Sequence, residues 1–174
     1  EDIFIKYLNK KMLEDPDNKG LLSKCITRRC DLKDFKGAIR DINLYLTKFG
    51  DTKSNAFLHI RYITKLQDGD TLSAIKDLSE YIDLVPESLK YGYIKDRLRI
   101  NKKIGNEIMA AKDQQYIDSV DYYNISLLAE DVADIANDNS NDLEKRLRAV
   151  AKLAEITSST RFADIREKYN QIFK

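Results

Sequence analysis

The sequence predicts an all-α fold built from consecutive pairs of antiparallel helices, and three observations lead to this prediction. Apolar residues recur at intervals of three and four, which places them on one face of an α-helix. The sequence also matches itself at an offset of 36 residues, and residues that cap or break helices stand at the ends of the periodic segments. Because one helix pair cannot bury its apolar face alone, a repeated pair must stack on the next one.

The second helix of each pair shows the clearest repetition. In the segment 70–86, Asp70 can cap a helix, Ala74 and Leu78 share one face, and Pro86 ends the helix. The matched columns are Asp34, Asp70 and Asn106; Ala38, Ala74 and Ala110; Asp41, Asp77 and Asp113; Ile42, Leu78 and Gln114; and Tyr45, Tyr81 and Ile117. We expect the small alanine side chains to lie where the two helices of a pair cross closely.

The first helix of each pair repeats with the same offset. Its three apolar columns are Leu21, Phe57 and Tyr93; Leu22, Leu58 and Ile94; and Ile26, Tyr62 and Leu98. Gly69 and Gly105 occupy equivalent positions between the two helices of a pair, and Lys33 stands there in the first copy. A residue without a Cβ atom favours the sharp turn that joins two antiparallel helices.

Both ends of the chain continue the helical pattern. A helix before Pro16 is predicted from the apolar residues Phe4, Leu8 and Met12, with Phe4 in the place of the repeated alanine. Two more helices are predicted on either side of the polar turn 137–142, with apolar positions at Ile125, Leu128, Val132 and Ile135, then at Leu143, Leu147, Val150 and Leu153. A last helix, capped by residues 157–160, would cover the end of the stack with Phe162, Ile165, Tyr169 and Ile172.

We therefore expect one repeat domain over residues 1–174. Its expected parts are a partial repeat or N-terminal helix (1–17), three repeats (18–53, 54–89 and 90–123), a degenerate helical pair (124–157) and a terminal capping helix (158–174). The degenerate pair lacks the repeated glycine and alanine positions, and we expect Ala136 to tolerate substitution better than Ala74.

The spacing of Gly69, Ala74, Leu78, Tyr81 and Pro86 resembles the tetratricopeptide repeat, and the resemblance extends over residues 18–123. It implies a right-handed α-solenoid whose first helices line a concave groove that binds proteins or peptides. The period of 36 residues is longer than the roughly 34 of the family.

Two further departures from the family concern the first helices. Arg61 and Arg97 stand in a column where the family usually buries an apolar residue. The family's carboxylate clamp for chaperone C-termini needs asparagine in a column that here holds Thr27, Ile63 and Arg99, so we expect no binding of chaperone tails.

Composition excludes several classes of function. With 30 basic and 29 acidic residues, the net charge of +1 does not call for nucleic acid or an anionic membrane. No apolar run approaches the roughly 18 to 20 residues of a membrane span. His59 is the only histidine and no glycine-rich phosphate loop occurs. We therefore expect the chain to have no enzymatic activity, no cofactor and no metal site. Cys25 and Cys30 lie about 140° apart around a helix, which disfavours a disulfide.

Charge is divided between the two helix types. The first-helix windows 18–31, 54–67 and 90–103 carry a net charge of +10, whereas the second-helix windows 34–48, 70–84 and 106–120 carry −4. The resemblance therefore implies a positive groove, in which we expect the binding residues to be Ser23, Thr27, His59, Tyr62, Lys95, Arg99 and Lys102. Two other interpretations stay open: the charges only keep a helix face in contact with solvent, or they attract the two layers to each other.

We expect a protein- or peptide-binding scaffold with an acidic partner, within a larger protein or complex. One alternative is an RNA-binding helical-repeat module, which the near-neutral charge and the lack of repeated base-reading positions disfavour. Another is a non-catalytic domain of a larger enzyme or secretion component. The sequence starts at Glu1 inside a repeat, which favours a longer parent chain. Free thiols slightly favour the cytoplasm, export or membrane anchoring of the parent stays open, and the sequence does not indicate an oligomeric state.

Overall fold

The computed structural model describes residues 2–50 and 55–173, which form helices and turns without any strand in these two ranges. The predicted all-α class is thereby confirmed. The chain divides into two compact units, Glu1–Asp113 and Gln114–Lys174. The expected boundary between the repeats 18–53 and 54–89 lies outside the described residues.

The first unit consists of consecutive helices that pack in chain order. Each of the helices α1 to α5 contacts the next one along the chain. Their bounds are α1 Ile3–Glu14, α2 Lys19–Asp31, α3 Phe35–Phe49, α4 Asn55–Asp68, α5 Thr71–Leu84 and α6 Glu87–Lys103, followed by the first turns of α7, Glu107–Asn137. Helix α5 ends ahead of Pro86, as the sequence predicts.

The same turn follows each of the first helices α2, α4 and α6. Its central residue has a left-handed backbone, with φ of 58° at Lys33, 88° at Gly69 and 73° at Gly105. In every copy the next backbone N–H donates over 2.9 Å to a carbonyl five residues earlier, the pairs being Asp34 to Arg29, Asp70 to Lys65 and Asn106 to Asn101. The period of 36 residues is therefore confirmed at the level of the backbone.

The predicted caps and buried columns of the repeats are also confirmed. The carboxylates of Asp34 and Asp70 accept the N–H groups of Gly37 and Ser73 over 3.1 and 3.2 Å. The repeated alanines and two of the first-helix columns are buried; these residues are Ala38, Ala74, Ala110, Leu22, Leu58, Ile94, Ile26, Tyr62 and Leu98.

Helix α1 buries only part of the predicted face. Ile5 and Leu8 are buried, whereas Phe4 is exposed, so Phe4 does not take the place of the repeated alanine. Residues three apart share a helix face, and Phe4 lies about 100° away from Ile5. The alignment to Ala38 relied on Pro16 and placed the face one residue too early.

The second unit contains most of α7 together with α8, Leu143–Ile156, and α9, Ala163–Lys168. Short 3₁₀ helices, Thr160–Phe162 and Asn170–Phe173, flank α9, so the terminal segment is not one continuous helix. The boundary expected between residues 123 and 124 lies inside α7, which runs unbroken for 31 residues. Its sequence contains neither glycine nor proline, the residues that most often end a helix.

The core of the second unit is built on small residues. Its buried members are Ala129, Val132, Ala133, Ala136, Ala149, Leu153 and Ile165. Four of the apolar positions that predicted these helices are exposed: Leu128, Ile135, Leu143 and Leu147. Alanines let helices pack at short distance, so the buried face of α8 centres on Ala149 and Leu153. The predicted terminal residues Phe162, Ile165, Tyr169 and Ile172 do pack in this core.

Candidate functional site

The first helices of the repeats adjoin one another within the first unit. The Cys30 thiol of α2 lies 3.8 Å from the Thr64 hydroxyl of α4. The ring centres of His59 on α4 and Tyr93 on α6 are 5.6 Å apart. Residues 36 apart take equivalent places on these helices, and five of the seven expected binding residues belong to two such rows: Ser23, His59 and Lys95 in one, and Thr27 and Arg99, with Ile63 between them, in the other. The expected site therefore lies on neighbouring helices.

Ser23 and Thr27 line a groove of about 520 Å³ at α1 and α2. Its other lining residues are Phe4, Lys24, Arg28 and Asp31. The Thr27 hydroxyl donates to the backbone carbonyl of Ser23 over 3.1 Å, which leaves its oxygen lone pairs for a ligand. Arg28 donates to both carboxylate oxygens of Asp2, at 3.2 and 2.7 Å, and this hydrogen bonding holds the pKa of Asp2 below its usual value.

His59 lies in a cluster of aromatic rings. Its ring centre is 5.1 Å from Tyr62, 5.0 Å from Tyr81 and 5.6 Å from Tyr93. The Tyr81 and Tyr93 hydroxyls are 3.4 Å apart, and burial followed by this hydrogen bond raises the pKa of Tyr81 to about 12. Burial lowers the pKa of His59, so this imidazole is neutral at pH 7.

Tyr62 is a core residue rather than a groove residue. Only 6% of it is exposed, and it continues the buried column of Ile26 and Leu98. A ligand could reach its ring only if the surrounding helices moved apart. The expectation that Tyr62 contacts a partner therefore conflicts with its position.

Lys95, Arg99 and Lys102 form an exposed basic stripe on α6. Their spacing of four and three residues places them on one face, as predicted. The Lys95 ammonium lies 5.2 Å from the ring centre of Tyr91, and Arg99 lies 3.3 Å from the Asp96 carboxylate. Arg99 also lines a groove of about 260 Å³ together with Leu66, Thr71, Ile100 and Lys103.

A column of buried aspartates in the second helices was not recognised from the sequence. Asp41, Asp77 and Asp113 are buried, and each accepts hydrogen bonds from a first helix of the same repeat. The ion pairs are Arg29 to Asp41 at 2.7 Å, Arg61 and Lys65 to Asp77 at 2.8 and 2.7 Å, and Arg97 to Asp113 at 2.7 Å. Satisfying a buried carboxylate in this way avoids a large desolvation penalty.

Arg61 and Arg97 also connect successive repeats. Arg61 donates to Asn43 in the preceding second helix over 2.9 Å, and Arg97 donates to Ser79 at the equivalent place over 3.0 Å. Each arginine thus bridges two repeats through one guanidinium group. This explains why the two arginines replace the apolar residue that the tetratricopeptide family buries. The repetition of aspartate and arginine at the same offset was the signal that could have revealed them.

These ion pairs change the interpretation of the charge on the first helices. Arg29, Arg61, Lys65 and Arg97 are bound to buried carboxylates, so attraction between the two layers accounts for part of the +10. Exposed cations remain at Lys19 and Lys24 on α2 and at Lys95, Arg99, Lys102 and Lys103 on α6. The positive surface is therefore concentrated on α6.

The described residues offer little for metal or redox chemistry. In the ranges 2–50 and 55–173, no three histidine, cysteine, aspartate or glutamate side chains are grouped so that they could hold a metal ion. Cys25 and Cys30 are free thiols, and burial raises the pKa of both. None of the helices in this described part combines the length and apolarity that crossing a membrane requires.

Comparison with known proteins supports the fold. No protein-family model and no curated protein matches the chain. The crystal structure of MamA is similar, with a TM-score of 0.53 and 16% sequence identity over 97% of this chain and 83% of the MamA chain. MamA is a solenoid of tetratricopeptide-like helix pairs, so the predicted solenoid class is confirmed. The similarity extends to the fold alone.

Proposed function

We propose that the chain is a non-catalytic interaction module that binds an acidic segment of a protein or peptide on its first helices. The observation that carries this proposal is the basic stripe of Lys95, Arg99 and Lys102. These cations stay exposed on α6, whereas Arg61 and Arg97 are used inside the fold. Exposed cations on one face attract an acidic partner and raise the rate of encounter.

The side-chain hydrogen bonds that join successive repeats support binding to a preformed surface. The guanidinium groups of Arg61 and Arg97 each join two successive repeats, and this fixes the spacing of the helices before a partner arrives. A surface that is already ordered loses little conformational entropy on binding. The Ser23 and Thr27 groove adds hydroxyl groups and the apolar ring of Phe4 to the surface of the same unit.

RNA binding, the alternative that the basic first helices suggested, has less support. Phosphate contacts need basic side chains that can reach the phosphates and displace their counterions, and four first-helix cations are bound to buried carboxylates. A role as the scaffold part of a larger protein is compatible with the same binding surface.

The test uses fluorescein-labelled acidic peptides and a variant with the changes Lys95→Glu, Arg99→Glu and Lys102→Glu. We expect affinity to fall at least about tenfold, since each exposed charge contributes up to about 1 kcal/mol. The dependence of affinity on salt should also become weaker.

The matched control reverses the charge of two exposed second-helix residues, Lys76→Glu and Lys112→Glu. It should leave peptide binding nearly unchanged, because screening over about 8 to 10 Å removes distant charges. A loss of binding in this control, with binding kept by the α6 variant, would place the partner on the second helices.

A further inference from the structure

A partly exposed apolar stripe runs along α7 in the second unit. Tyr116, Val120, Tyr123 and Leu127 follow one another at intervals of four, three and four residues, so they share one face of the helix. Tyr123 and Leu127 are 62% and 45% exposed, and the other two are half-buried. Apolar residues exposed in a continuous row, rather than singly, indicate an interaction surface.

The terminal segment packs on the opposite side of α7. Arg161 pairs with Asp118 and Asp121 at 2.9 and 3.5 Å, and Tyr122 donates to the Asp164 carboxylate. At about 100° per residue, these contacts on α7 lie roughly half a turn away from the Tyr123 and Leu127 face. The intramolecular packing of the terminal segment therefore leaves the stripe outside these contacts.

Acidic side chains extend the stripe towards the end of α7. Residues 113–144 include nine aspartates and glutamates and no lysine or arginine. Glu130, Asp131 and Asp134 continue the spacing of the stripe, and all three are exposed. In the part of the chain that the structure describes, no salt bridge engages Asp131 or Asp134. The partial negative charge of the helix C-terminus at Asn137 adds to this field.

We infer that this stripe docks an amphipathic helix of a partner protein whose apolar residues are followed by lysines or arginines. Apolar anchors at intervals of three and four fit a second helix laid along the first. The carboxylates at the end of the stripe select a basic partner and repel an acidic one. This surface is not the one used in the proposed function, in which basic residues of the first unit bind an acidic partner.

The test uses two designed 18-residue helical peptides that share the same leucine positions. One carries lysines on its flanks and the other carries glutamates at the same places. With the full chain, we expect the lysine peptide to bind at least about tenfold more tightly, with affinity that falls as salt is added. Equal binding of the two peptides, or no binding of the lysine peptide, would overturn the inference.

Two double variants on α7 test whether the peptide binds at the stripe. The change Tyr123→Glu with Leu127→Glu should lower the affinity for the lysine peptide at least about tenfold, and Asp131→Lys with Asp134→Lys should transfer the preference to the glutamate peptide. All four residues are exposed, so circular dichroism should show an unchanged fold. Binding that survives both variants would exclude the stripe.

The matched control is Leu143→Glu with Leu147→Glu on α8, where the two leucines are 69% and 59% exposed. This variant should bind the lysine peptide as tightly as the wild type does. The α6 charge-reversal variant should also bind it normally, and that result would separate this inference from the proposed function. Loss of binding in the α8 variant would overturn the location. Self-association in sedimentation that Leu127→Glu abolishes would assign the stripe to a second copy and overturn the proposed partner.

Discussion

The two units bury their helices by different means. In the first unit, buried carboxylates such as Asp77 meet Arg61 and Lys65 across each helix pair. In the second unit the core is apolar and rich in alanine, and ion pairs such as Arg148 with Glu144 lie at the surface. A buried charge needs a partner at a fixed place, so it imposes a strict period on the sequence, whereas an alanine side chain requires no specific partner.

The largest expected effect breaks the buried ion pairs of the first unit. The change Asp77→Ala would leave Arg61 and Lys65 without their carboxylate, where the side chains are only 17% and 16% exposed. We expect the free energy of unfolding to fall by about 3 to 5 kcal/mol. Urea denaturation of the full chain, followed by circular dichroism, would measure this loss.

The corresponding change in the second unit is Glu144→Ala, which removes the exposed partner of Arg148. A surface pair contributes only about 0 to 1 kcal/mol, so the midpoint of denaturation should hardly move. If the two variants were equally stable, the buried aspartates would not be what distinguishes the first unit.

The same contrast explains how much of the molecule could be predicted. Caps, left-handed turns and buried columns of the repeats depend on local spacing, so Asp70, Gly69 and Ala74 were all interpreted correctly. The exposed face of Lys95 and Arg99 follows from the same spacing. Between residues 124 and 142 no residue column repeats, so the register could not be predicted there, and the continuity of α7 and the exposure of its leucines were missed.

Two errors at the candidate site have other physical causes. Tyr62 was expected in the groove, although its own column with Ile26 and Leu98 marks it as buried. Asp77 was not recognised as buried because carboxylates are rarely buried unless paired. Its pairing with Arg61 crosses two helices, and only the packed structure brings these groups together.

The next effect concerns close helix packing. We expect Ala74→Leu in the first unit to lower the free energy of unfolding by about 1 to 3 kcal/mol, because the larger side chain overpacks the helix crossing. Sequence alone predicted that Ala136 would tolerate this change. Ala136 is only 5% exposed, so we now expect Ala136→Leu to cost a similar amount. The exposed Ala151 on α8 is the control, and Ala151→Leu should stay within about 0.5 kcal/mol.

Denaturation midpoints of these three variants would decide whether the alanine face is as tightly packed as the repeats. If Ala136→Leu were as harmless as Ala151→Leu, the second unit would be loosely packed around α7 and α8.

A smaller effect is expected at the repeated turn. Lys33 has the left-handed backbone that glycine provides at positions 69 and 105. We expect Lys33→Gly to stabilise the chain by about 0.5 to 1 kcal/mol, since it relieves the steric cost of the Cβ atom. Gly69→Ala should destabilise it by about 1 kcal/mol for the same reason. Thermal melting of the two variants would show shifts in opposite directions.

Gly92 is the control that distinguishes the effect of the left-handed turn from the general effect of replacing glycine by alanine. It lies inside α6, and a Cβ atom built on it meets nothing within 4 Å. Gly92→Ala should therefore stabilise the chain by about 0.5 to 1 kcal/mol. Stabilisation by Gly69→Ala as well would mean that the left-handed turn is not strained by a side chain.

The smallest expected effect is a dependence on pH that arises from His59 in the aromatic cluster. Burial holds its pKa below the ordinary value of 6.5, so the unfolded chain takes up the proton at a higher pH than the folded chain does. Stability should therefore be complete above about pH 6.5 and should decrease as the pH falls below that value. The variant His59→Phe keeps the ring but cannot take up a proton. We expect wild type to lose stability relative to this variant between pH 7.5 and 5.5 in urea denaturation.

The groups around His59 determine whether stability falls or rises as the pH is lowered. Burial raises the pKa of Tyr62 and Tyr81, which keeps both hydroxyls uncharged in this range, whereas the Asp96 carboxylate opposes burial by raising the pKa of the imidazole. If wild type gained stability relative to His59→Phe at the lower pH, attraction by Asp96 would outweigh burial. The Asp96→Asn variant should deepen the loss at pH 5.5, because it removes the charge that opposes the effect of burial on the imidazole.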